Sequence, residues 1–98
     1  MTRQPEGKLQ EQIQGFLRER GAFVFKVHGS DFQEAGLPDL IVCWRGHFVA
    51  MEVKLPGEKP SARQRLVMSR ILAASGIAAV VTSVDEAREV LRGIARKG

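Results

Sequence analysis

Two β-rich runs separated by a three-residue break constrain this chain more than any other feature. Asp39-Leu-Ile-Val-Cys-Trp44 and Phe48-Val-Ala-Met-Glu-Val-Lys54 are dense in β-branched and aromatic residues, and Arg45-Gly46-His47 lies between them. They predict a hairpin with a two-residue turn. If Arg45-Gly46 forms the turn, Asp39 stands directly opposite Glu52. If Gly46-His47 forms it, as a type II′ turn with glycine first, Asp39 faces Lys54 and Glu52 becomes its diagonal neighbour. In both registers Asp39, Glu52 and Lys54 share one face, because strand side chains alternate with period two. Directly opposed Cβ atoms sit about 5 Å apart and diagonal ones about 7–8 Å. Two carboxylates at that spacing destabilise a sheet unless something cationic lies between them. A divalent metal and the Lys54 ammonium would do this, so the pattern predicts a metal site.

The 98 residues suffice for one domain, 1–98, and leave no room for a second. A hydrophobic content of 44% fits an ordinary globule rather than a disordered chain. No apolar run approaches the roughly 20 residues that span a bilayer, and Met-Thr-Arg-Gln-Pro-Glu has no signal-peptide core. Cys43 is the single cysteine, which excludes an internal disulfide and a cysteine metal cluster. A reducing, cytosolic setting follows as the expectation. The net charge of +4 suits a polyanionic partner, and a bound cation would make the site more positive still.

Residues 5–20 read as an amphipathic helix, with Pro5 in its first turn, Leu9, Ile13, Phe16 and Leu17 on one stripe, and Gly21 as its stop. Ala22 to His28 alternates as a strand, and residues 29–37 read as a loop. After the hairpin, Leu55 to Pro60 is a turn. Ser61-Ala-Arg-Gln64 matches a capping box opening a helix to about Ser75, with Leu66, Val67, Ile71 and Leu72 as its apolar stripe. Ile77 to Thr82 is a strand-length apolar run, expected to be buried on both faces. Ser83-Val-Asp-Glu86 is a second capping box, opening a last helix that aligns Ala87, Val90, Leu91 and Ile94 and frays at 96–98. The order helix, three strands, helix, strand, helix predicts an α/β fold around a small mixed sheet.

Carboxylate oxygens with few histidines nearby favour Mg²⁺ or Mn²⁺ over zinc. Such an ion keeps several waters, seeks phosphate oxygens and lowers the pKa of a bound water. Lys54 would orient the attacking water or neutralise charge on the phosphate, and the Val53 backbone carbonyl offers a neutral ligand. These are the parts of a phosphodiester hydrolase.

Gly36-Leu37-Pro38-Asp39, then Glu52-Val53-Lys54, resembles the PD-(D/E)xK nuclease superfamily. The wider pattern is similar to its virus-type replication-repair nuclease (VRR-NUC) branch. It includes Glu6 ahead of Gln10, Ile13, Leu17 and Gly21, then Ala22 to Lys26, and Lys59-Pro-Ser-Ala-Arg-Gln64 after the lysine. The resemblance covers residues 5–84. It implies a restriction-endonuclease-like core with Asp39, Glu52 and Lys54 catalytic, Glu6 as the acid of the first helix and a possible metal ligand, and Gln64 as the glutamine of the following helix. It also implies a Mg²⁺- or Mn²⁺-dependent homodimer acting on structured DNA, such as flaps or Holliday junctions, in a phage or bacterial cytosol.

Each of these residues also has a plainer explanation. Acidic residues favour first helical turns for dipole reasons, which suffices for Glu6, and Glu11 is a competing acid on that helix. Gln64 is fully explained as the N3 residue of the Ser61 capping box. His28 and His47 lack ligand spacing and read as solvated or structural, although His28, Ser30 and Asp31 follow a strand on the side of the site. Cys43 reads as a small buried hydrophobe, and Trp44 as a core lid rather than a base-stacking platform. Arg3 and most other basic residues belong to solvated faces. Lys26, Lys59 and Arg63 are the best phosphate contacts, because the helix start at Ser61, itself favourable for an anion, should border the hairpin end with Lys54. A catalytically silent nucleic-acid-binding module and an accessory subunit of a larger replication protein are the alternative readings.

Overall fold

The computed structural model describes residues 5–29 and 34–97; Arg3, Ser30, Asp31 and Gly98 lie outside them. The elements are α1 (Pro5–Glu19), β1 (Phe23–Lys26), β2 (Leu40–Trp44), β3 (His47–Val53), α2 (Ala62–Ala73), β4 (Ile77–Val81) and α3 (Val84–Lys97). This is the expected order. The sheet runs β1-β2-β3-β4, antiparallel except for β4, which the α2 crossover returns parallel to β3.

Pro5 opens α1 where its missing N–H costs nothing, and Gly21, at φ +84°, reverses the chain after it. The Ala22 N–H then donates to Leu17 O at 3.0 Å, closing the helix end. Ile13, Phe16 and Leu17 are buried against the sheet. Arg45-Gly46 is the hairpin turn, both residues with positive φ (51° and 80°), as a type I′ turn requires. Trp44 pairs with His47 and Leu40 with Met51, so the alternative Gly46-His47 turn does not form.

Helices α1 and α3 share one face of the sheet, where Val24, Leu40, Val42, Trp44, Val49, Met51, Val53 and Val81 are buried. Each fully buried side chain of this size contributes about 1.5–3 kcal/mol. Helix α2 covers only part of the other face: Ala50 and Glu52 are buried there, while Phe48 keeps about half of its surface exposed beside the hollow that Val67 and Ile71 also line. The rest of that face is bare.

This lateral placement corrects several expectations. Cys43 is exposed rather than buried, because its ladder partners are Phe23 and Phe48 on the uncovered half. Leu66 and Leu72 of the α2 stripe are exposed, and only Val67 is buried. Strand β4 is an edge, so only Val81 of its five residues is buried. In the second capping box the Ser83 hydroxyl accepts the Glu86 N–H as expected, but the Glu86 carboxylate accepts from Thr82 N and Oγ1 instead of from Ser83 N. Helix α3 runs from Val84 through Lys97. Among the described residues, no helix is long and apolar enough to cross a membrane.

Candidate active site

The site is built where the N-terminal end of β2 meets the C-terminal end of β3. Gly36 sets the approach. It lies at φ +83°, and a Cβ there would stand 2.8 Å from Arg63 Cγ and 2.9 Å from the Arg63 carbonyl carbon and oxygen. Only glycine lets this loop close onto the first turn of α2. Pro38 is fully buried behind it. Asp39 follows, anchored to both neighbouring strands: its carbonyl accepts the Val27 N–H at 2.8 Å, and its Oδ2 accepts the Val53 N–H at 2.8 Å.

Continuing the observed register by one residue sets Asp39 across from Glu52, the first of the two pairings the sequence allowed. Glu52 is 1% exposed. Its Oε1 accepts from Gln64 Nε2 at 3.1 Å. Gln64 Oε1 accepts the Ser61 N–H at 2.8 Å, and the Ser61 hydroxyl accepts the Gln64 N–H. One amide therefore caps α2 with its oxygen and holds the buried carboxylate with its nitrogen. The capping of α2 and the contact with Glu52 are thus made by one side chain in one geometry.

Glu52 Oε2 is buried with no hydrogen-bond partner. Burial and then the adjoining Asp39 carboxylate together push the Glu52 carboxyl up to about 8, with Lys54 pulling against both. Lys54 lies just past β3, and its backbone N–H donates to Val81 O at 3.0 Å. Glu6, in the first turn of α1, belongs to the same neighbourhood. Burial raises its pKa first and Asp39 next, while Lys54 and Lys26 lower it and Glu58 raises it. Glu11 is exposed farther along the helix.

Among the described residues, no three His, Cys, Asp or Glu side chains gather closely enough to enclose a metal. Asp39 and Glu52 converge, and Glu6 stands near enough to feel the Asp39 charge. Their donors are hard oxygens, and Glu52 carries an unsatisfied oxygen and an anionic charge opposed by its surroundings. That chemistry fits a small divalent cation held by one or two carboxylates with water completing its shell.

Lys26 is exposed at the end of β1 and acts on Glu6. Lys59, Ser61 and Arg63 are exposed at the start of α2, although the Ser61 hydroxyl is engaged in the cap and the Arg63 stem backs onto Gly36. His28 and His47 are exposed. Trp44 is a core lid, with its Nε1 donating to Arg20 O at 3.0 Å. Glu58 escaped the sequence reading as part of this region, and Gln10 entered it only as a member of the family pattern. Glu58 acts on Glu6 and accepts the Leu55 N–H at 2.9 Å, and its spacing of four from Lys54 was the available signal. Gln10 is buried one turn after Glu6 with an unpartnered Oε1, a polar interruption of the α1 stripe.

No sequence profile of a known protein family matches the chain, and no curated protein matches it. Solved structures do. One described as "VRR_NUC domain" superposes with a TM-score of 0.76 at 26% identity, covering 89% of this chain and 94% of its own. A second, "VRR_NUC domain protein", superposes with a TM-score of 0.78 over 99% of this chain and 93% of its own. At 17% identity, the second likeness speaks to the fold alone.

Proposed function

From the likeness to a VRR-NUC domain at 26% identity and the geometry of the carboxylate pair, we propose that the chain is a Mg²⁺- or Mn²⁺-dependent endonuclease that hydrolyses DNA phosphodiesters. The observation that carries this reading is the Asp39–Glu52 pair: two carboxylates set opposite each other, one fully buried with an unsatisfied oxygen, beside a lysine. Asp39, Glu52 and the Val53 carbonyl would hold the ion, with Glu6 as a further carboxylate beside it. The cation would supply Lewis acidity toward the scissile phosphate and a more acidic bound water. Lys54 orients the attacking water and offsets charge on the phosphate. Gln64 holds Glu52 in its ligating orientation. Lys26, Lys59, Arg63 and the α2 N-terminus at Ser61 contact flanking phosphates, because all lie at the carboxylate end.

The resemblance extends the proposal to branched DNA, a flap or Holliday junction, in replication, recombination or repair, and to a homodimer making two cuts. The uncovered aromatic half-face of Phe23, Phe25 and Phe48 would serve as the contact between copies. The test is a panel of end-labelled linear, nicked, flapped and four-way DNAs, incubated with wild type and Lys54→Ala in Mg²⁺, Mn²⁺ or EDTA. Metal-dependent cleavage that Lys54→Ala abolishes supports the enzyme. DNA binding without cleavage would favour a silent module, and cleavage only with an added partner an accessory subunit.

A further inference from the structure

We propose that the hairpin-tip end of the molecule holds a second phosphoryl-binding cleft, walled by Arg20, Arg45, Arg88 and Arg92. The cleft is about 460 Å³, and its remaining lining includes Phe16 and Trp44. Four arginines line this hollow, Arg20 just after α1, Arg45 in the hairpin turn and Arg88 and Arg92 on α3, against one lining carboxylate, Glu19.

The guanidinium groups are not free-swinging. Arg45 lies over the Trp44 ring at 4.4 Å, and Arg20 and Arg88 lie over Phe16 at 5.1 and 5.0 Å. The Trp44–Arg20 backbone bond fixes one wall, and the left-handed Arg45 backbone aims that side chain at its ring. Asp85 bonds Arg88 and Glu89 bonds Arg92 at 2.6 Å, yet neither carboxylate lines the cleft. They steady these arginines from outside it. Among the described residues, neither Arg20 nor Arg45 forms an ion pair.

A guanidinium stacked on a ring keeps its N–H edges available, and the fork matches a phosphate in two-point contact. Stacking also removes rotamer freedom beforehand, so less is lost when an anion binds. Arginines can stack on aromatic rings merely to shield the edge of a core. Four of them converging on one concave surface is more than shielding requires. The cleft is distinct from the carboxylate site, because the seven residues of β3 separate them by about 20 Å. The ligand is a phosphoryl group, from either the phosphodiester backbone of an outlying DNA arm or a free nucleotide-type phosphate. Only the DNA source rests on the nuclease reading.

Trp44 is the sole tryptophan, so its indole N–H resonance reports the cleft alone. Titrating inorganic pyrophosphate into the full chain in EDTA should shift that resonance saturably. Arg45→Asn with Arg92→Gln should weaken the binding at least tenfold, asparagine being chosen because it tolerates the left-handed turn. Arg65→Gln should leave it unchanged. A folded wild type with no saturable shift, or equal binding by the double variant, overturns the proposal whether or not the chain cuts DNA. A second arm measures binding to linear and branched DNA in EDTA across salt concentrations. A slope lower by about 0.9 for each lost contact in the double variant assigns the cleft to DNA phosphates. An unchanged slope with pyrophosphate binding lost assigns it to a free phosphate.

Discussion

On the sheet face covered by α1 and α3, the inward side chains of β2 and β3 are apolar and buried, from Leu40 to Trp44 and from Val49 to Val53. On the opposite face the same strands present Cys43 and Phe48 to solvent at one end and bury Glu52 at the other. The first face stabilises the fold through close packing. The second places an ionisable group where burial opposes its charge, and it leaves aromatic surface open. Stability and chemistry are thus divided between two sides of one hairpin, and α2 governs the second side by covering only part of it.

The contrast predicts its largest effect at Glu52. Glu52→Gln should lower metal-dependent cleavage by on the order of 10³-fold, read as the initial rate on a labelled junction. The fold should survive, since a neutral amide of similar shape removes a buried charge. The pH dependence gives the sign. The folded carboxyl titrates near 8, above its ordinary value of 4.5, so between those values the folded chain retains a proton that the unfolded chain has lost. Stability of the metal-free protein should therefore be greatest at the acidic end of that window, fall as pH rises through it, and level off above about 8. Urea unfolding in EDTA from pH 4.5 to 8.5 measures this, and Glu52→Gln should flatten the curve. A wild-type stability that climbs across the window would mean that the two faces do not differ in this way.

Next in size is Leu40→Ala, on the packed face beside Asp39. Leu40 is fully buried, so truncation should cost about 2–5 kcal/mol in urea unfolding. Gly36→Ala should follow, at about 1–3 kcal/mol for the left-handed backbone, with more if the Arg63 backbone cannot yield. Its distinguishing consequence is at the site. Pushing the first turn of α2 away should loosen the Gln64–Glu52 hydrogen bond, so metal affinity by calorimetry should weaken together with stability. Leu40→Ala should lower stability while leaving metal affinity near wild type in the folded fraction.

What was legible in the sequence follows the same division. The shared face of Asp39, Glu52 and Lys54 depends only on period two and survives either register. The register did not, because Arg45-Gly46 and Gly46-His47 both contain the glycine a tight turn needs, and nothing local shows that Arg45 adopts a left-handed backbone. The capping box of α2 was readable from Ser61 and Gln64, but the second bond of that amide, to Glu52, needs the helix seated on the sheet. Burial was the least legible property. Cys43 and the β4 run are apolar by composition, and their exposure is decided by how far α2 extends sideways and by β4 forming an edge. Local patterns carry the period and the caps, and lateral packing carries the rest.

The smallest effect on the isolated chain, and the sharpest contrast with Leu40, is expected at Phe23. Phe23 is 69% exposed, and its ring meets that of Phe25 edge-on at a centroid distance of 6.2 Å. Threonine keeps the β-branched preference of a strand, so Phe23→Thr removes little beyond that one ring contact. At dilutions where the protein is monomeric, it should cost less than about 1 kcal/mol. If two copies meet through this face, the same substitution should act on assembly instead. The sedimenting mass of wild type would exceed that of one chain and its Tm would rise with concentration, and Phe23→Thr with Phe48→Thr would remove both effects. A loss in the monomer as large as that of Leu40→Ala would show that the bare half of the sheet contributes to the fold itself, and the division between the two faces would fail.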